Sequence, residues 1–115
     1  MPTLFEKIIA GDLPGDFVHK DDHCVAIRDI NPAAPVHLLI IPRKPIPTVN
    51  DLTDEDEPLV GHMFSVARRL ARVEGVDESG YRLIFNCNSD GGQEVYHLHL
   101  HLIGGAPLSG MGRAR

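Results

Sequence analysis

The sequence lacks two features that would point to membranes or nucleic acids. No apolar run approaches the roughly 18 residues that a membrane-spanning helix needs, and no signal peptide or lipidation motif is visible. Lys and Arg number 11 against 16 Asp and Glu, which gives a net charge of −5. Nucleic acids and anionic membrane surfaces favour a basic protein face. We therefore expect a soluble cytoplasmic protein with no nucleic-acid or membrane partner.

Cysteine is also scarce, which argues against a disulfide-stabilised secreted fold. The chain has two cysteines, Cys24 and Cys87, and no C-x-x-C pair. Each lies inside an apolar run that resembles a strand. This placement is typical of buried free thiols in a reducing compartment.

The sequence does contain regular patterns of helices and strands. A capping box at Thr3 opens a short helix that Gly11 can end, and a long amphipathic helix follows between Thr53 and Gly75. Pro58 either kinks the first turn of the long helix or marks its regular start. We expect an α+β fold, a mainly antiparallel five-stranded sheet with one long and one short helix on one face. The predicted strands are residues 17–20, 24–29, 37–41, 81–86 and 97–103.

The last predicted strand, His97-Leu98-His99-Leu100-His101-Leu102-Ile103, alternates histidine with apolar residues. Alternate residues of a strand share a face, so three imidazoles would lie roughly 6–7 Å apart on one side. The leucines would seal the other side against the core and the helices. The histidine side would then be the working face of the sheet, although a plain exposed polar face is the alternative.

Two chemistries need such a row of imidazoles. A pair of histidines on a strand can ligate zinc, with Cys24 as a conceivable further ligand. Alternatively, one imidazole attacks phosphorus while neighbouring rings and loop amides stabilise the phosphoryl charge. The glycine-rich loop Gly91-Gly92-Gln93 offers those amides just before the histidines. Because no carboxylate or thiolate stands at motif spacing for a metal, covalent chemistry is the favoured reading.

The histidine run resembles the H-φ-H-φ-H-φ-φ signature of the histidine-triad (HIT) family, where φ is apolar. The resemblance covers about residues 3–105 of a single domain, 1–115, and leaves 106–115 as a C-terminal tail. It extends to the Hint branch, the purine nucleoside phosphoramidases. The segments that carry this second resemblance are Leu4-Phe5-Glu6-Lys7-Ile8-Ile9, Asp29-Ile30-Asn31-Pro32, Ala34-Pro35-Val36-His37 and Gly91-Gly92-Gln93-Glu94-Val95-Tyr96.

The resemblance implies a hydrolase of P–N bonds in purine nucleoside 5′-phosphoramidates, such as adenosine phosphoramidate or an aminoacyl-adenylate. His99 would be the nucleophile that takes up the nucleotidyl group. The backbone carbonyl of His97 would help to fix the tautomer of His99. His101 and His37 would hold the α-phosphate and the nucleophile.

The resemblance also implies how an AMP-like nucleotide binds. Asn86 and the segment Gln93, Glu94 and Val95 would contact phosphate. Asp29 would accept hydrogen bonds from the ribose hydroxyls, with Ile30 beside it. The family is homodimeric, with the sheet extended across the interface, and its catalysis requires no metal or other cofactor. The purine pocket would be lined by Leu4, Phe5, Ile8, Leu13 and Ile27.

Glu94 departs from a frequent family pattern, because many members carry Ser or Thr there. An ionised carboxylate cannot donate a hydrogen bond and would repel phosphate if it pointed inward. We hypothesise that Glu94 turns outward or interacts with a cationic amine leaving group. Two alternatives to the phosphoramidase remain, a dinucleoside polyphosphate hydrolase of the same family and a non-enzymatic nucleotide- or zinc-binding protein.

Overall fold

A five-stranded antiparallel sheet forms the centre of the computed structural model, which describes residues 2–114. The spatial order of the strands is β1-β2-β3-β5-β4, and every neighbouring pair is antiparallel. The continuous apolar run of β3 occupies the centre, because a central strand is buried on both faces. The strands are β1 (Phe17–Lys20), β2 (Cys24–Arg28), β3 (Val36–Pro42), β4 (Tyr81–Ile84) and β5 (Leu100–Gly104).

Two helices accompany the sheet, α1 (Leu4–Ile9) and α2 (Glu57–Val73). The predicted capping box is present at α1, where the Thr3 hydroxyl accepts from the Glu6 N–H and the Glu6 carboxylate accepts from the Thr3 N–H, both at 3.2 Å. Pro58 lies in the first turn of α2, where its missing N–H costs nothing. No helix within residues 2–114 has the length and apolarity to cross a bilayer.

The two helices lie on opposite faces of the sheet, so the expectation that both pack on one face is wrong. The long helix α2 covers one face, burying Met63, Val66 and Leu70 against Leu100 and Leu102. The short helix α1 covers part of the other face. This happens because β2 and β3 are apolar on both sides, and the second side also needs a cover. The second core consists of Phe5, Ile8, Val25, Ile27, Leu39 and Ile41.

The last strand begins at Leu100, three residues later than the histidine alternation predicts. Residues 97–99 lie outside the sheet, and the Leu98 N–H donates to the carbonyl of Ile46 at 2.7 Å instead of joining the β3 ladder. The alternation itself persists, since Leu98, Leu100 and Leu102 are all buried. Likewise, β4 ends at Ile84 and residues 85–86 already belong to the following loop.

Candidate active site

A cavity of about 640 Å³ opens beside α1, on the face of the sheet opposite α2. It contains every residue that the sequence predicts for the site except His97 and Gln93. Its lining combines apolar and polar residues. The apolar lining is Leu4, Phe5, Ile8, Leu13, Pro14, Ile27, Ile30, Leu39 and Val95, and the polar lining is Arg28, Asp29, Asn31, His37, Asn86, Gly92, Glu94, His99 and His101.

His99 lines the cavity, with its ring 4.9 Å from that of His101 and 4.8 Å from that of Phe5. Its Nδ1 is 2.8 Å from the backbone carbonyl of His97. A carbonyl oxygen only accepts, so Nδ1 carries the hydrogen and donates it. The other nitrogen, Nε2, therefore keeps its lone pair, which is what a nucleophile requires.

His37 and His101 form a second hydrogen-bonded unit across β3 and β5. The Ala33 N–H donates to His37 Nδ1 at 3.0 Å, so a neutral His37 carries its hydrogen on Nε2. His37 Nε2 then donates to His101 Nδ1 at 2.9 Å. This chain leaves the hydrogen of His101 on Nε2, where it is available as a donor to a ligand oxygen. Asp29 lies beside the pair, with Oδ2 at 3.4 Å from His37 Nε2.

Burial keeps these imidazoles neutral. It lowers the pKa of His37, His97 and His99 below the ordinary histidine value. For His101, burial and then the positive charge that His99 and His37 would carry lower the pKa to about 4. At neutral pH the cavity therefore presents an uncharged nucleophile and an uncharged donor.

His97 is placed differently from the other two histidines of the motif. Its ring is 1% exposed and does not line the cavity. Its Nε2 donates to the carbonyl of Pro42 at 2.7 Å, and its Nδ1 accepts from the Thr3 hydroxyl at 3.4 Å. The ring lies on the α1 side of the sheet as predicted, 6.2 Å from the Phe5 ring, but it does not reach the cavity and instead links the start of α1 to the end of β3.

The loop before the histidines is held by side-chain hydrogen bonds. Asn86 Nδ2 donates to the carbonyl of Gly91 at 2.7 Å. Gln93 is buried, and its amide donates to the carbonyls of Pro47 and Val95 at 2.8 and 3.0 Å. The Gln93 side chain thus fixes the loop and does not line the cavity, whereas Gly92, Glu94 and Val95 do.

Glu94 borders the cavity and is also exposed to solvent. Its carboxylate is near enough to His99 to favour the charged form of that ring, although burial still dominates and lowers the pKa of His99. The Glu94 carboxylate would therefore attract a positively charged group released near His99. A phosphate oxygen would meet repulsion on the same side.

Sequence reasoning missed four residues that line the cavity, Pro14, Arg28, Asn31 and Leu39. Leu39 had a usable signal, since it lies two positions after His37 on the same strand and so shares its face. Arg28 is the last residue of β2, beside the predicted Ile27 and Asp29. Pro14 and Asn31 lie in loops, whose conformation the pattern of residues does not encode.

One set of cavity residues could hold a metal ion. Asp29, His37 and His101 each offer a ligand atom, and these atoms lie within 4.8 Å of one another. The same nitrogens already form the hydrogen-bonded chain from Ala33 to His101. The donor set fits zinc by chemistry, but an ion there would break that chain.

The fold and the cavity together define an α+β protein that presents three neutral imidazoles and an apolar lining in one cavity. The HIT domain model matches residues 10–108, and the chain belongs to the HIT family. The chain is 55% identical to a purine nucleoside phosphoramidase of Escherichia coli strain K12 over 109 residues, 95% of this chain and 92% of that protein.

Solved structures of the family agree closely with this fold. A HIT family hydrolase from Legionella pneumophila Philadelphia 1 superposes with a TM-score of 0.92 at 52% identity, covering 94% of this chain and 96% of that one. A histidine triad protein from Clostridium difficile gives a TM-score of 0.90 at 41% identity, covering 94% of each chain. The predicted α+β architecture and family are therefore confirmed.

Proposed function

We propose that this chain is an enzyme that hydrolyses the P–N bond of purine nucleoside 5′-phosphoramidates through a nucleotidyl intermediate on His99. The name of the Escherichia coli relative and the identity over nearly the whole chain support the reaction class. The observation that carries the mechanism is the hydrogen bond from His99 Nδ1 to the His97 carbonyl, which leaves Nε2 as the free nucleophile.

In the first step, His99 Nε2 attacks the α-phosphorus, the P–N bond breaks, and the leaving amine takes a proton from solvent. The imidazole becomes positively charged while it carries the nucleotidyl group, and the His97 carbonyl stabilises that charge through Nδ1–H. In the second step, water attacks phosphorus, the bond to Nε2 breaks, and one proton returns to solvent. The products are the amine and the nucleoside 5′-monophosphate.

Neutral donors would stabilise the phosphoryl oxygens. His101 Nε2–H is oriented by the chain through His37 and Ala33. The Gly92 and Gln93 N–H groups already donate to the Ser89 and Asn88 carbonyls, so further donors would come from the backbone amides of Glu94 and Val95, which border the cavity. We assign His37, His99 and His101 to catalysis, with His97 as a positioning residue that acts through its carbonyl.

The nucleoside would occupy the rest of the cavity. The apolar residues from α1 and β2 suit a purine ring, whose flat faces bury best against aliphatic and aromatic side chains. Asp29 accepts from the Asn31 N–H through Oδ1, so Oδ2 remains an acceptor for a ribose hydroxyl. Ile30, which is 91% exposed, would cover the sugar.

We place the reaction in the cytoplasm, because the two free thiols suit a reducing compartment.

Turnover of adenosine phosphoramidate tests the mechanism. We expect the wild-type chain to release AMP in the presence of EDTA, and His99→Ala to lose essentially all turnover. Mass spectrometry of the quenched reaction should find an adenylyl group on the peptide that contains His99. His23→Ala, which removes an exposed histidine outside the cavity, is the matched control and should keep full activity.

The same assay separates the rival functions. Wild-type activity in His99→Ala would end the covalent proposal. A dinucleoside polyphosphate cleaved much faster than the phosphoramidate would favour the related hydrolase. One zinc ion per chain bound by Asp29, His37 and His101, together with no turnover of either substrate, would favour a binding protein.

We also propose that two copies form a homodimer whose sheet continues across β4. Support comes from the position of β4 at one edge of the sheet, where its outer hydrogen-bonding groups face no further strand within residues 2–114. Phe64 of α2 is 42% exposed at this edge and packs edge-to-face on Phe85, with 6.0 Å between the rings. Light scattering should give twice the chain mass, and Phe64→Glu should halve it, whereas Val73→Glu should not.

A further inference from the structure

A second cluster of ligating side chains lies away from the cavity, at the turn between β1 and β2. Asp21 Oδ2 is 2.6 Å from His19 Nε2 and 2.7 Å from His62 Nε2. The Cys24 thiol is 3.7 Å from the same oxygen. Three of the residues belong to the hairpin and His62 belongs to α2, so the cluster joins two distant parts of the chain.

The turn orients this carboxylate before any ligand is considered. Asp21 Oδ1 accepts from the backbone N–H groups of His23 and Cys24 at 2.7 and 2.8 Å, which aims Oδ2 at the two imidazoles. Burial opposes ionisation of Asp21, but the hydrogen bonds from His19, Cys24, His62 and His23 together outweigh it and hold its pKa far below the usual range. The turn therefore fixes the carboxylate with Oδ2 directed at the two imidazoles.

A hydrogen-bonded clip between the hairpin and α2 would need one imidazole and the carboxylate. The cluster has a second imidazole aimed at the same oxygen and a thiol beside it. Two nitrogens, one carboxylate oxygen and one sulfur make up a common ligand set for zinc and its analogues. We propose that His19, Asp21, Cys24 and His62 form a binding site for a divalent transition metal ion of the Zn²⁺ or Co²⁺ type.

The ligand atoms of His19, Asp21 and Cys24 all lie within 4.8 Å of one another, whereas His62 contacts only Asp21 among these residues and must move closer to the other two to complete the set. In a tetrahedral site with metal–ligand distances of about 2.0–2.3 Å, ligand atoms are separated by roughly 3.3–3.8 Å. The sulfur-to-oxygen distance already has this value, and each nitrogen must move away from oxygen by about half an ångström or more. The side chains of His19, Asp21 and His62 are 26%, 25% and 30% exposed, so they can move and an ion can enter, while Cys24 forms the buried floor.

Charge and protons balance when an ion binds. The thiol loses its proton to solvent as the metal–sulfur bond forms, which overcomes the burial and the neighbouring Asp21 charge that raise the pKa of Cys24 to about 12 in the metal-free chain. Each neutral imidazole moves its hydrogen from Nε2 to Nδ1 and coordinates through Nε2. One thiolate and one carboxylate then neutralise the two positive charges of the ion.

The proposed metal site is separate from the cavity. Cys24 belongs to the core that α2 covers, whereas the cavity lies on the α1 face of the sheet, and the two sites share no residue. An ion here would tie the β1–β2 hairpin to α2, so its role would be structural. The inference stands whether or not the proposed hydrolase activity is correct.

Cobalt is a suitable probe, because thiolate bound to Co²⁺ gives a near-ultraviolet charge-transfer band. The full chain is first reduced and treated with EDTA, which is then removed. It should bind one Co²⁺ with this band, and the Co²⁺-bound chain should melt at a higher temperature than the metal-free chain. Cys24→Ala should lose the band, whereas Cys87→Ala, which removes the other thiol, should keep it. Loss of a group that only orients a metal ligand weakens metal binding by about 10- to 100-fold. Since His62 is proposed to bind the ion directly, we expect His62→Asn to weaken Co²⁺ binding by about 100-fold or more.

A further control excludes binding in the cavity. His101→Gln removes one of the cavity nitrogens and should leave the cobalt spectrum unchanged. Circular dichroism of each metal-free variant checks that it folds. If Cys24→Ala does not fold, His62→Asn still tests the site, because His62 lies on the partly exposed surface of α2. The proposal is overturned if wild-type protein shows no thiolate band, or if folded His62→Asn binds Co²⁺ as tightly as wild type.

Discussion

Glu94 places a carboxylate on the cavity wall near His99, where the proposed reaction would release its leaving group from phosphorus. Ser or Thr at this position could donate a hydrogen bond to phosphate, and an ionised carboxylate cannot. The structure puts Glu94 both on the cavity wall and in contact with solvent. A cationic leaving group could therefore be attracted by Glu94 while it still exits to water.

Substrates that differ in leaving-group charge test this role of Glu94. We expect Glu94→Ser to lower kcat/KM for an adenylate with a lysine-like amine by about 3- to 10-fold, because an exposed ion pair contributes about 1 kcal/mol. For a substrate with an uncharged leaving group, the same variant should be equal to wild type or faster. Steady-state kinetics on both substrates measure the difference. Equal effects on the two substrates would eliminate amine recognition.

Elements whose signals are local in the chain were predicted well. The capping box of α1, the β1–β2 hairpin and the central position of β3 all follow from residues close together in sequence. The start of β5 was wrong because Leu98 donates to Ile46, a residue 52 positions earlier. The α1 helix was assigned to the wrong face because periodicity shows that a helix has an apolar side but not which sheet face meets it.

The site residues also divide into those that could be predicted from the sequence and those whose contacts depend on distant parts of the chain. The family resemblance located most of the cavity lining, but it could not tell that the His97 ring and the Gln93 amide bind the carbonyls of Pro42 and Pro47. Those partners are 55 and 46 residues away in sequence. The hydrogen-bond partners of these side chains are therefore distant in sequence and become neighbours only in the folded chain.

The glycine loop between β4 and residue 97 depends on one close backbone contact. A Cβ on Gly91 would lie 2.4 Å from the Cys87 carbonyl oxygen and 2.8 Å from its nitrogen. We expect Gly91→Ala to move the loop, to reduce turnover at least about tenfold, and to destabilise the fold by roughly 1–3 kcal/mol. Activity assays and urea unfolding measure both effects.

Gly61 supplies the matched control for the loop variant. It lies inside α2, and a Cβ there meets nothing within 4 Å. Gly61→Ala should therefore stabilise the chain by about 0.5–1 kcal/mol, since alanine favours the helix, and should leave turnover unchanged. Equal behaviour of the two variants would show that the Gly91 contact does not shape the site.

At the scale of the whole molecule, the sheet separates a structural face from a reactive one. The α2 face contains the larger apolar core, and the α1 face contains the cavity with its buried imidazoles. Burying neutral histidines suits the proposed chemistry, but it makes the stability of the entire fold sensitive to acid. An unfolded chain exposes the same rings to water, where they take up protons more readily.

His101 sets the clearest part of this pH dependence. Burial and then the His99 and His37 charges lower its pKa from about 6.5 in the unfolded chain to about 4 in the folded chain. Between these values the unfolded chain binds more protons, so stability must fall as the pH is lowered, by up to about 1.4 kcal/mol per pH unit for this group. His37, His97 and His99 act in the same direction.

Denaturant unfolding of wild type and His101→Gln between pH 4 and pH 8 measures this contribution, because glutamine keeps an acceptor for His37 Nε2–H and removes the titrating ring. We expect the free energy of unfolding of the variant to fall less steeply below about pH 6.5. Above about pH 7.5 the two curves should run parallel, since His101 is then neutral in both the folded and unfolded states. Parallel curves across the acid range as well would mean that His101 is protonated equally in the folded and unfolded chains. Burial would then not be what keeps this donor neutral beside His99.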